Sequence, residues 1–111
     1  MALPDAAIDC VALYFKALSD PTRLRIINAL REAARSVGEL TEIAACSQAN
    51  VSKHLGVLAD SGIITRTARG TSTIIAIADP AIYELCALVC DSVVRRLEKD
   101  LALHQALTRQ P

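Results

Sequence analysis

The chain has 111 residues, 52% of them apolar, and its twelve basic and twelve acidic side chains leave no net charge. That balance excludes a disordered chain and a bulk polycation, and no apolar run reaches the roughly 18 residues a bilayer span needs. The length suits one domain, residues 1–111, with a core of its own.

The elements read as mainly α: five helices and one hairpin, with no repeat or long linker. The first helix runs from about Asp5 to Leu18. Ile8, Val11, Phe15 and Leu18 share one face, and Leu13, Tyr14 and Ala17 form a second. Two apolar faces call for two neighbours, one of them a partner chain. Ser19-Asp20-Pro21 is a helix start, a capping side chain followed by proline in the first turn. The second helix carries Leu24, Ile27 and Leu30 inward. A short third helix, about Val37 to Ala45, does the same with Val37, Leu40 and Ala44. Ser47 caps a fourth helix with Val51, Leu55 and Leu58 inward, and Ser61-Gly62 ends it.

Ile63 to Thr67 and Ser72 to Ile77 are rich in β-branched residues and read as strands joined by the turn Ala68-Arg69-Gly70-Thr71. Asp79-Pro80 then opens a last helix by the same capping chemistry as Asp20-Pro21. It runs to about Leu107 with the stripe Ile82, Cys86, Val89, Val93 and Leu97. At 1.5 Å per residue it is about 40 Å long, enough to pack on another subunit.

The fourth helix and the hairpin carry the chemistry. Between Ser47 and Ser72 the charged residues are Lys53, Arg66 and Arg69 against Asp60 alone, a local basic face on a neutral chain. A helix in the major groove presents hydroxyl, amide and basic groups to base edges and phosphates. Ser47, Gln48, Asn50, Ser52, Lys53 and His54 supply that set. Gln48 and Asn50 are candidates for adenine, Lys53 and His54 for phosphate or guanine, and His54 reads equally as a structural hydrogen-bonding residue. Arg66, Arg69, Thr71 and Ser72 on the hairpin suit backbone or minor-groove contact. The layout is a DNA-reading helix followed by a wing. Taken alone, such a helix also reads as an ordinary solvated face.

The order of elements resembles the arsenic-repressor (ArsR/SmtB-type) family of winged helix-turn-helix repressors. The matching residues are Phe15-Lys-Ala-Leu-Ser-Asp-Pro-Thr-Arg-Leu-Arg-Ile-Ile27, Gly38-Glu-Leu, Ser47-Gln-Ala-Asn-Val-Ser-Lys-His-Leu55 with Leu58, Ser61-Gly-Ile63, and Gly70 in the wing. The likeness spans about residues 10 to 100. It implies a homodimer joined through the first and last helices, a double-stranded operator, and repression that ends when an inducer binds. An inverted-repeat operator follows from two-fold protein symmetry.

No basic-then-apolar leader precedes Asp5 and Asp9, so the expected location is cytoplasmic, where four cysteines are thiols or metal ligands rather than a disulfide framework. Cys86 and Cys90 lie four apart on one helical face, and Cys10 joins them if the first and last helices form the seam. Three thiolates suit a soft ion such as trivalent arsenic, while a close pair suits an oxidant or reactive sulfur. Plain packing is the competing reading, because cysteine is a common small core residue. It gives the alternative of a DNA-binding regulator with no inducer and only structural thiols. Cys46 precedes the cap of the reading helix, where it is either a reactive thiol or a small turn residue.

Two family patterns are missing. Gly38-Glu-Leu-Thr-Glu-Ile43 has no cysteine pair, and Ala81, Ser92 and Arg95 stand near positions where a zinc site of the last helix would have ligands. An enzyme is not expected: no histidine lies close to Cys86 in sequence, and the spacing is not Cys-x-x-Cys. No cofactor is required by this reading beyond a possible soft metal or metalloid at the cysteines.

Overall fold

The computed structural model describes residues 2–109. In chain order it contains α1 (Asp5–Leu18), α2 (Pro21–Ala29), β1 (Arg35–Ser36), α3 (Val37–Ala44), α4 (Gln48–Asp60), β2 (Ile64–Arg69), β3 (Ser72–Ile77) and α5 (Ala81–Thr108). Two compact units meet in the chain at Asp79–Pro80.

In the first unit the helix starts follow from local chemistry. Asp20 is extended, and its Oδ1 accepts from the backbone N–H groups of Thr22 (2.8 Å) and Arg23 (3.1 Å). Pro21 takes the first helical position, where no N–H is missed. The Arg23 N–H above all holds the Asp20 carboxyl below its ordinary range. The cap is therefore complete above that range and is lost as acid protonates Asp20. Ser36 and Glu39 form a reciprocal capping box on α3, each bond 3.1 Å.

The core lies among α2, α3, α4 and the sheet. Ile26, Ile27, Leu30, Leu40, Val51, Leu55, Leu58, Ile63, Ile64 and Ile75 are buried. On α2 the inward set is Ile26, Ile27 and Leu30, and Leu24, expected inside, is 42% exposed. With Ile26 inside, the buried face centres about 110° from Leu24, which leaves Leu24 at the rim.

The sheet corrects the expected hairpin. It has three strands in the order β1-β3-β2, all antiparallel, with Arg35 opposite Ile75 and Ser36 opposite Ile74. Two polar residues carry no alternation for sequence to show. They are held extended because Arg35 Nε donates to the Ala29 carbonyl (2.7 Å) while Ser36 caps α3. The strand β2 also runs to Arg69, past the expected end at Thr67, and pairs Ala68 with Thr73 and Arg69 with Ser72. A turn centred on Gly70-Thr71 closes it, with Gly70 at φ 61°, the sign a II′ hairpin needs at its first central position.

The second unit is α5, 28 residues and about 42 Å long. Its N-cap is Pro80 (φ −65°, ψ −11°), one residue after the expected Asp79. Proline already sits in helical geometry there, and its carbonyl accepts from Tyr83 N–H at 3.1 Å. Along the expected stripe, Ile82 is buried and Cys86 half-buried, while Val89, Val93 and Leu97 are exposed. No helix among the described residues is long and apolar enough to cross a membrane.

Candidate nucleic-acid interface

The turn between α3 and α4 is three residues, Ala45-Cys46-Ser47, with Ala45 in the left-handed region at φ 53°. Ser47 is extended, and its Oγ accepts from the Asn50 N–H at 3.1 Å, so the reading helix starts where sequence placed it. At its other end Gly62 has φ 75°, and the Ile63 N–H reaches back to the Leu58 carbonyl at 3.0 Å.

Val51, Leu55 and Leu58 dock α4 on the core, and this fixes what points outward. Ser47, Gln48, Asn50, Ser52 and Lys53 are exposed, and His54 is half-buried. Successive residues turn by about 100°, so Lys53 projects opposite the docked face while Gln48 and Asn50 fall on opposite flanks, about 160° apart. Gln48 and Ser52 line a groove of about 340 Å³ shared with Ser36, Val37 and Gly38 at the start of α3 and Thr71, Ser72 and Thr73 of the wing. Asn50 lies one turn before His54, on the other flank, where His54 Nδ1 is 3.1 Å from Arg23 Nη1.

The wing residues divide in the same way. Arg66 pairs with buried Ile75, and Arg69 with Ser72, so the two arginines project from opposite faces of the hairpin. Both are exposed. The groove thus joins helix and wing through hydroxyl and amide groups, and the cations Lys53, Arg66 and Arg69 are exposed on the same two elements. Sequence reading missed Ser36, Val37, Gly38 and Thr73 as groove walls, and Arg23 as the partner of His54. The Ser36-x-x-Glu39 capping box was the signal for the α3 wall.

If Arg66 and Arg69 meet phosphates, Arg66→Ala and Arg69→Ala each weaken binding evenly across DNA sequences. Each lowers the slope of log affinity against log salt by about one. Anisotropy titrations at four salt concentrations measure this, and an unchanged slope removes that arginine from the phosphate contacts.

The thiols lie elsewhere, and all four are free. Cys46 is half-buried in the turn before α4. Cys10 is exposed at a cleft of about 640 Å³ that α1 shares with Arg23 and with Val57, Asp60 and Ser61 at the end of α4. Cys86 is half-buried and Cys90 exposed, one turn apart on α5. Among the described residues no three of His, Cys, Asp and Glu come together as a metal-holding group.

A helix-turn-helix domain family matches residues 18–67. The chain is 37% identical over 97 residues to the HTH-type transcriptional regulator Rv0081 of Mycobacterium tuberculosis, covering 86% of this chain and 85% of that protein. The crystal structure of Rv0081 superposes with a TM-score of 0.77, at 35% identity over 90% of this chain and 99% of that one. A homodimeric winged helix-turn-helix DNA-binding domain from Mycobacterium bovis, described as a possible ArsR-family regulator, gives a TM-score of 0.76. Its identity is 29%, over 89% of this chain and 95% of that one. A probable mercury resistance operon repressor of Streptomyces lividans is 35% identical over 80 residues, 72% of this chain and 64% of that protein.

Fold, exposed α4 and wing define a winged helix-turn-helix transcriptional regulator, a protein that binds DNA and is not an enzyme. The chain belongs to the ArsR/SmtB-type family of these regulators.

Proposed function

We propose that two copies pair through α1 and α5, lay their α4 helices into successive major grooves of an inverted-repeat operator, and leave it when a thiol-directed inducer binds. The observation that carries the DNA part is the single groove that brings Gln48 and Ser52 of α4 to Thr71 and Ser72 of the wing. Base edges fall to Gln48 on one flank and Asn50 on the other, and Ser47, Ser52, Lys53 and His54 complete the helix contacts. A DNA partner is in line with a cytoplasmic location.

Pairing is supported by the apolar surface on both helices. Leu13 on α1 is 62% exposed and Leu97 on α5 is 61% exposed, and Ile8, Phe15, Val89, Val93 and Leu101 are exposed with them. The inducer is a soft metal or metalloid such as trivalent arsenic, or an oxidant or reactive sulfur species that links thiols. It acts at Cys86 and Cys90 with Cys10 as third partner, and Cys46 is the lesser candidate. A site of three thiolates draws donors from both copies in this reading. One relative is a probable mercury resistance operon repressor, and mercury is a soft metal, in line with thiolate chemistry.

The test is DNA affinity measured on the chain's own upstream duplex under reducing conditions, after oxidation, and with trivalent arsenic, cadmium or persulfide. Affinity falls in one of these conditions for the native protein and stays constant for Cys86→Ser and Cys90→Ser. Equal affinity throughout leaves a regulator without an inducer and thiols that only pack.

A further inference from the structure

We propose that Arg23 is a positioning residue for DNA reading: it sets the tautomer of His54 and ties the flank of α4 that carries Asn50 to the end of α1. This deepens the assignment of α4 as the reading helix and rests on it. Arg23 Nε donates to the Ala17 carbonyl (2.6 Å), Nη2 to the Lys16 carbonyl (3.3 Å), and Nη1 lies 3.1 Å from His54 Nδ1. The first two acceptors belong to the last turn of α1, where helix carbonyls lack an N–H four residues on, and that of Lys16 also accepts from the N–H and hydroxyl of Ser19. The backbone of Arg23 is itself held by the Asp20 cap. One side chain therefore joins three helices.

A guanidinium has five N–H donors, no acceptor, and stays protonated. The hydrogen in the Arg23–His54 contact is therefore the arginine's, and Nδ1 must offer its lone pair. A neutral imidazole in that role carries its own proton on Nε2. His54 is thus fixed as an Nε2–H donor, suited to a phosphate oxygen or a purine acceptor, four residues after Asn50 on the same flank. Lysine is no equivalent at position 23, since a single ammonium cannot span carbonyl, carbonyl and imidazole in one plane. The same bonds pass any displacement of α1 to the reading helix through one side chain.

The experiment uses the full chain labelled with 15N in its two histidines, His54 and His104. Imidazole 15N shifts of the native protein are read at a pH where both rings are neutral. His54 is expected in the Nε2–H form alone, with exposed His104 as a mixed internal reference. In Arg23→Lys, His54 shifts toward a mixture, and affinity for the upstream duplex falls about tenfold, the size of one lost contact. His54→Gln added to Arg23→Lys costs little more, because both act through one contact. An Nδ1–H or mixed His54 in the native protein overturns the proposal without any variant. So does a folded Arg23→Lys with native affinity. Failure of α4 itself as reader would show instead in Gln48→Ala and Asn50→Ala, which leave the tautomer untouched.

Discussion

Leu58→Ala is expected to lower stability by about 2–5 kcal/mol, the cost of emptying a fully packed leucine site. Leu58 is 0% exposed and sits at the last turn of α4, below the point where Gly62 and Ile63 turn the chain into the wing. Its side chain, with Val51 and Leu55, sets the rotation of α4 about its axis, and that rotation decides which flank Gln48 and Asn50 occupy. The midpoint of thermal unfolding should drop by at least about 8 °C, at about 4–8 °C per kcal/mol for a domain of this size. Calorimetry at one fixed chain concentration checks it, because a pairing protein's midpoint depends on concentration. A fall below about 1 kcal/mol would mean that the neighbours close the space and that α4 is not seated by this residue.

The second large effect concerns recognition. Gln48→Ala and Asn50→Ala should each reduce discrimination between the operator and unrelated DNA by about 1–3 kcal/mol, and their effects should add. Additivity follows from their places on opposite flanks, Gln48 in the wing groove and Asn50 on the side of His54. They should relax preference at different base positions. Affinity for unrelated DNA should hardly move, since the proposed contacts to phosphate fall to Lys53, Arg66 and Arg69. Competition titrations with single-base operator variants read this out. Unchanged preference in the double variant removes α4 as the reader.

Much of the fold was legible because helix starts and stops are written locally. Asp20-Pro21, Ser47 and Gly62 each act within four residues, and all three do in the structure what their chemistry demands. The strand β1 was not legible. Arg35-Ser36 has no apolar pattern, and its extension is decided by Ile74 and Ile75, nearly forty residues away in the chain. At Asp79-Pro80 the same two residue types stand one position earlier relative to the helix, with Pro80 at the N-cap. In the candidate site, residue types and exposure could be read from Ser47 to Lys53, and the division into two flanks could not, since it depends on which face the core takes. Arg23 was visible only as part of a family motif. Its role required the carbonyls of Lys16 and Ala17 to be seen beside it.

The most direct measurement is a base-resolution footprint of the chain's own upstream duplex, titrated to saturation. Two protected half-sites of related sequence, centred about 34–36 Å apart or a multiple of that, filled together by two chains, are the predicted result. A single protected patch filled by one chain, or an unprotected duplex at micromolar protein, would contradict the account.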